Sequence, residues 1–337
     1  MIKVLRPGLM TTVQDLGRTG YQKYGVITSG AMDSLAHRIA NLLVGNNETE
    51  AALEITLIGP AIQFEEDALI AITGGDLSPA VDGKQVRSWR PVFVKKGTRL
   101  DFKYAVKGCR AYLAVAGGID VPIVMGSKST YLRAAVGGYK GRALQAGDSL
   151  LFGPCSTISK KIMEHLSGQC QNKPFAESSW AAAEGLYPSL ENHKPIRTMK
   201  GPQFYWFQTA SQADLFEKPF SVTTESDRMG YRLKGPSLHL KETKEMVSEA
   251  INTGSIQVPP DGNPIILLAD RQSVGGYPKI GQIASADLPL IAQTKPGETI
   301  SFEEISLEEA QELSLEMETS IEQLKQGIHL KITQEES

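Results

Sequence analysis

The chain has 337 residues, with 35 Lys and Arg against 38 Asp and Glu (formal charge -3), 41% hydrophobic and 22% charged. So even a charge balance gives no field to draw in nucleic acid, and the apolar share is globular rather than disordered or fibrous. At about 150 residues per domain, the length points to two domains, each with its own core.

The chain opens on Met1-Ile2-Lys3-Val4-Leu5-Arg6-Pro7-Gly8, which lacks an apolar segment of signal-peptide length. No later stretch reaches the ~20 apolar residues of a membrane span, so a cytoplasmic protein with no membrane contact is expected. Asp33 or Ser34 is placed to cap a helix whose Leu35, Ala36, Ile39, Leu42 and Leu43 share one face, with Gly45 closing it. Ala68–Ile72, Pro91–Val94, Ala111–Val115 and Pro264–Leu268 are apolar runs of strand length bounded by turn residues. Val81-Asp82-Gly83-Lys84 and Pro260-Asp261-Gly262-Asn263 are hairpin signals. Residues 156–195, polar and rich in Ala and Pro, read as a linker between a domain at 1–155 and a second at 196–337. Near the C-terminus, Ser306 and Glu309 form a capping box ahead of Leu307, Ala310, Leu313, Met317, Ile321 and Leu324, and Gly327 is expected to end that helix. So many short strands predict a mainly β protein, with closed or nearly closed barrels removing open edges.

The two domains read as diverged copies. Ile2-Lys3-Val4-Leu5-Arg6 is answered by Ile196-Arg197-Thr198-Met199-Lys200, and Ile62-Gln63-Phe64 by Ile256-Gln257-Val258. Between and beyond these, Ser29-Gly30-Ala31-Met32-Asp33 matches Ser226-Asp227-Arg228-Met229-Gly230, and Gly97–Phe102 matches Gly297–Phe302, all in one order.

Several chemistries are missing from the sequence. It has no Gly-x-Gly, hence no glycine-rich dinucleotide fingerprint, and no Gly-x-Ser-x-Gly elbow. Gly126-Ser127-Lys128-Ser129-Thr130 imitates a phosphate loop, but Ser127 replaces the glycine before the lysine. His37, His165, His193, His239 and His329 are scattered, so no metal site is expected. Cys109, Cys155 and Cys170 fit reduced thiols better than a disulfide framework.

Four segments combine charge with glycine in turns that a ligand can reach: Thr12–Arg18, Ser29–Asp33, Ser226–Arg232 and Asp270–Tyr277. With Gly254–Pro259, Gly126–Thr130, Ala286-Asp287-Leu288-Pro289, Ala292-Gln293 and Pro296-Gly297, they resemble, from Ile2 to about Glu303, the KipA family. That family, the C subunits of 5-oxoprolinase, is similar to the second subunit of allophanate hydrolase and the carboxyltransferase region of urea carboxylase. The resemblance implies tandem cyclophilin-like β-barrels and a role as the C subunit of an ATP-dependent 5-oxoprolinase. Such a complex opens 5-oxoproline to L-glutamate with a KipI-type B component and a 5-oxoprolinase A component, and the chain alone should be inactive and hold no cofactor. Two alternatives stand beside it: a regulator that sequesters a KipI-like inhibitor of a sporulation histidine kinase, and a component of a biotin-dependent carboxyltransferase acting on urea or another amide. Activating an unreactive lactam or amide calls for donors to a carbonyl oxygen that gains charge and for carboxylates to orient N–H groups. On that reasoning Arg18, Arg228 and Arg232 are expected anion or oxyanion binders, and Asp15, Asp33 and Asp227 orienting bases. Gln14, Gln257 and Gln272 are expected amide readers, with Ser29, Met32, Met229 and Tyr277 completing the substrate-binding set. The alternative for these residues is that they pair with neighbours and shape the loops.

Overall fold

The computed structural model describes residues 1–190, 194–242 and 244–334. His193 and residues 191–193 of the expected linker lie outside the described residues. The chain is mainly β, with five α-helices among the described residues: α1 (Ser34–Leu43), α2 (Thr157–Cys170), α3 (Thr209–Glu217), α4 (Leu288–Gln293) and α5 (Leu307–Gln334). It divides into two compact units. The first comprises Met1–Arg18, Ser29–Tyr187 and the chain from Thr319 onward; the second comprises Thr19–Thr28 and Pro188–Glu318.

In the first unit, a seven-stranded sheet runs in the order Ile119–Asp120, Ser149–Phe152, Ile2–Arg6, Ala61–Phe64, Arg99–Asp101, Ala80–Val81, Lys84–Gln85. A six-stranded sheet runs Phe175–Glu177, Pro91–Val94, Ala68–Asp76, Lys107–Val115, Ala52–Thr56, Met10–Gln14. Both sheets feed one core. Ile2, Val4, Ile62, Phe64 and Leu100 come from the first, and Val13, Leu53, Ile55, Ile70, Ile72, Val92 and Leu113 from the second. Fully burying such a side chain is worth about 1.5–3 kcal/mol. Strand Ile2–Arg6 alternates, with Ile2 and Val4 buried and Lys3 and Leu5 exposed. By contrast, Ala68–Gly75 is buried throughout, because α1 packs on its other face and the Thr73 hydroxyl donates to the Ala36 carbonyl at 2.7 Å.

The predicted cap of α1 forms: the Asp33 carboxylate accepts from the Ala36 amide at 3.0 Å, and Gly45 follows the helix with φ 74. The Asp82-Gly83 hairpin also forms, with φ 47 and 80, joining two strands of the seven-stranded sheet. Positive φ at both central residues is the turn whose twist matches the strands.

In the second unit, eight strands follow one another as Thr299–Ile300, Phe220–Val222, Gly230–Lys234, Ile265–Leu267, Ser255–Gln257, Lys279–Ile283, Ile196–Lys200, Phe302–Glu304. Only Ser301 separates the first strand of this order from the last, and its carbonyl accepts from the Ile196 amide at 2.7 Å. The two ends of the sheet therefore meet, and the sheet is a nearly closed barrel. Phe220 and Phe302 pack across that junction with ring centroids 5.8 Å apart.

Three features differ from the sequence expectations. The repeated strands do not repeat their pairing: Ile2–Arg6 lies beside Ala61–Phe64, whereas Ile196–Lys200 lies beside Lys279–Ile283 and Ser255–Gln257 is one strand further on. Much of the expected linker belongs to the first unit, because α2 buries Ile162 and Leu166 and Phe175–Glu177 pairs with Pro91–Val94. The last helix runs through Gly327 to Gln334, because Ile328 and Ile332 continue the buried stripe begun by Ala310 and Ile321. Its capping box is as expected, with Ser306 Oγ accepting from the Glu309 amide at 3.1 Å and Glu309 accepting from the Ser306 amide at 2.7 Å.

Candidate functional site

The first unit gathers six of the predicted residues around two chain segments, 14–18 and 29–33. Asp15 is the hub. Its Oδ1 accepts from the Gly17 amide (2.8 Å) and the Ser127 and Ser129 hydroxyls (2.7 and 2.5 Å), and its Oδ2 accepts from the Lys128 amide at 2.6 Å. The Lys128 amide and the two hydroxyls, the groups a phosphate loop would aim at a nucleotide, are thus turned onto a carboxylate. Arg18 is 1% exposed, and its Nη2 donates to the Ser129 carbonyl at 2.6 Å, fixing the same loop from the other side. Gly30, at φ 91, lets the two segments touch: a Cβ there would lie 2.9 Å from the Gly17 nitrogen, and the Ala31 amide donates to the Asp15 carbonyl at 2.9 Å.

Beneath these loops lies a buried polar chain. The Met32 amide donates to Glu54 Oε2 at 2.8 Å, and the Tyr112 hydroxyl donates to the same oxygen at 2.7 Å while accepting from the Asp33 amide at 2.8 Å. Tyr187 donates to Asp33 Oδ2. Burial, reinforced by Glu54 and Asp33, holds the Tyr112 hydroxyl well above its ordinary value, so it stays protonated. His37 is wholly buried with its Nε2 3.2 Å from the Gln14 carbonyl, and burial pushes its imidazole down against the opposing pull of Asp15. Gln14 is buried too; its Nε2 donates to Thr12 Oγ1 and the Thr130 carbonyl. Ser29 is buried at φ 55.

In the second unit, Arg228 is 5% exposed and forks onto Asp270, with Nε 2.9 Å from Oδ2 and Nη2 3.1 Å from Oδ1. The Asp270 amide also donates to the Arg228 carbonyl at 2.8 Å, tying the two loops twice. Exposed Asp227 closes its own turn by accepting from the Met229 and Gly230 amides at 2.8 and 3.3 Å. Half-buried Met229 follows it in that turn. Arg232 lies apart from this pair on strand Gly230–Lys234, exposed, with Glu225 its nearest carboxylate at 3.9 Å. Gln257 is buried and donates to the Tyr277 carbonyl at 3.1 Å, whereas Gln272 and the Tyr277 side chain are exposed.

Asp15, Asp33 and Arg228 are therefore engaged in holding loops in the geometry seen here. Glu54, Tyr112, His37 and Asp270 were not singled out individually from the sequence. One signal was available for Glu54: it is a lone carboxylate inside the apolar run Ala51-Ala52-Leu53-Glu54-Ile55, where a charge demands buried partners. Among the described residues no three His, Cys, Asp or Glu side chains gather as a metal-ligand set, and no helix is long and apolar enough to cross a membrane.

The sequence pattern of the carboxyltransferase domain, subdomains A and B, matches residues 24–304. This chain belongs to the carboxyltransferase domain family. Within that family it is 40% identical to the 5-oxoprolinase C subunit of Escherichia coli over 98% of this chain and 99% of that one. It is 38% identical to the protein of the same name from Haemophilus influenzae, over 98% and 100%. Urea amidolyase of Saccharomyces cerevisiae is 35% identical over 96% of this chain but only 18% of its own length. Among solved structures, K. lactis urea carboxylase superposes with a TM-score of 0.86 at 33% identity, covering 97% of this chain and 29% of that one.

Proposed function

We propose that this carboxyltransferase-family chain is the C subunit of a 5-oxoprolinase, a cytoplasmic complex that opens the lactam of 5-oxoproline to L-glutamate at the expense of ATP. The observation that carries this reading is the end-to-end match to the 5-oxoprolinase C subunit, 98% of this chain against 99% of the relative, where the urea amidolyase match takes in only 18% of that protein. A KipI-type B component and an A component complete the assembly, and ATP is held outside the Gly126–Thr130 loop. That loop's donors already face Asp15.

The chemistry fits. A lactam is unreactive until its carbonyl oxygen is stabilised as charge builds on it, and fixed cations and amide donors supply that stabilisation. Arg232, Gln272 and Tyr277, exposed in the second unit, are open to a ligand, while Arg228 and Gln257 hold loops of that same unit. The test is copurification of the tagged chain with its partners, then assay of the recovered complex with 5-oxoproline and ATP. Glutamate formation by the complex and none by the chain alone is the expected result. A complex that carboxylates urea with biotin and leaves 5-oxoproline untouched would favour the carboxyltransferase reading instead.

A further inference from the structure

We propose that Arg271 anchors the substrate carboxylate, and so selects lactam acids over neutral amides; this deepens the 5-oxoprolinase reading and rests on it. Arg271 follows directly after Asp270, yet its situation is the reverse of Arg228's. The forks of Arg228, Arg197 and Arg142 are each closed by an aspartate, respectively Asp270, Asp287 and Asp148. Arg271 is half-buried and, among the described residues, has no carboxylate within ion-pair distance. Its Nε donates to the Ile251 carbonyl at 3.2 Å and its Nη1 lies 3.4 Å from Thr28 Oγ1, while Nη2 has no hydrogen-bond partner among the described residues. Burial lowers the basicity of the guanidinium.

A partly desolvated cation with no counter-charge is costly, and proteins ordinarily close such a site with a partner. Here the backbone keeps the site as it is. The Arg271 amide donates to the Leu268 carbonyl at 3.1 Å, the Leu268 amide to the Met229 carbonyl at 3.0 Å, and the Ile251 amide to the Ser273 carbonyl at 3.2 Å. The loop is thus strapped on both sides of the arginine, and the Nε contact fixes one edge of the fork while the Nη edge remains available. A planar pair of N–H groups held in this way matches the two oxygens of a carboxylate. 5-Oxoproline carries a carboxylate on the carbon next to its lactam nitrogen, whereas urea and simple lactams carry none. A substrate held by that group would present its lactam carbonyl at a fixed distance from the anchor, which gives both binding and orientation.

The test uses the assembled complex carrying wild-type chain, Arg271→Gln or Arg271→Lys, with 5-oxoproline and with the carboxylate-free 2-pyrrolidinone as substrates. For 5-oxoproline, Arg271→Gln should raise KM about 100-fold and Arg271→Lys, which keeps the charge but loses the fork, about tenfold. Turnover of 2-pyrrolidinone, poor in the wild type, should be the same in all three. Equal losses on both compounds would make Arg271 a loop staple and overturn the proposal, as would an unchanged KM for 5-oxoproline. Calorimetric titration of the full-length wild-type chain and both variants separates this inference from the functional reading. If the wild-type complex fails to open 5-oxoproline, the functional reading falls, yet tighter binding of 5-oxoproline than of 2-pyrrolidinone, lost in Arg271→Gln, still upholds the carboxylate site. No preference for the acid in either the chain or the complex defeats it. Where Arg271→Gln does not fold, the Arg271→Lys values decide.

Discussion

Removing Arg228 separates a structural arginine from a catalytic one. Its fork and the Asp270 carboxylate are 5% and 7% exposed and meet at 2.9 and 3.1 Å, so each is the other's main replacement for lost water. Two unit charges about 4 Å apart at an effective dielectric of about 20 attract by about 4 kcal/mol, and stripping one partner from a buried pair costs about 3–5 kcal/mol because the other charge stays behind unpaired. Arg228→Ala should therefore lower the melting temperature by roughly 10 °C, at about 2–4 °C per kcal/mol for a chain of this size class. Replacing both partners by apolar residues, Arg228→Met with Asp270→Leu, should recover most of that loss, since buried ion pairs exchanged for packed apolar groups are often neutral in stability. The assay is urea unfolding and thermal melting of the four proteins in the cycle, with turnover of the assembled complex measured per folded chain. A variant Arg228→Ala that melts like the wild type while its turnover falls a hundredfold would refute the structural reasoning and make the arginine catalytic.

Asp15→Asn should destabilise the first unit by about 2–3 kcal/mol, because one amide oxygen can serve the Gly17, Ser127 and Ser129 donors but the new NH2 then faces the Lys128 amide; faster tryptic cleavage after Lys128, with unchanged susceptibility of exposed sites in the second unit, is the readout. His37 gives a pH dependence. Its folded-state pKa is lowered by burial, so the unfolded chain binds the proton more readily, and stability is full above about pH 6.5 and declines as pH falls from there toward the lowered value. Melting temperatures between pH 7.5 and 5 should drop in the wild type and flatten in His37→Gln; a parallel slope in both would show that another group carries the effect.

The fold was legible in the sequence wherever a local signal sufficed. Asp33 with its apolar stripe, the Asp82-Gly83 turn and the Ser306/Glu309 box each act within a few residues, and each forms as read. Strand partners were not legible, because Ile2–Arg6 and Ile196–Lys200 share a pattern of apolar and basic residues yet take different neighbours, a choice made by long-range packing. Gly327 misled for a related reason: the cost of a helical glycine, about 1 kcal/mol, is outweighed by burying Ile328 and Ile332 in the turns that follow it. For the candidate site, the sequence singles out loops that combine charge with glycine but not the commitments of their side chains. That Asp270 answers Arg228 and, among the described residues, leaves Arg271 without a carboxylate is visible only when residues 42 positions apart are seen together.

The two units are joined at four places along the chain, after Arg18, Thr28, Tyr187 and Glu318. No single cut can release either unit as a separate piece. Dividing the gene where the repeat divides would leave the N-terminal product carrying Thr19–Thr28, which belongs with the other unit, and lacking the end of α5, which belongs with its own. Although the sequence reads as a tandem duplication, its two halves do not coincide with the two units. A split version of this protein should therefore work only by complementation, with both fragments present as the chain folds.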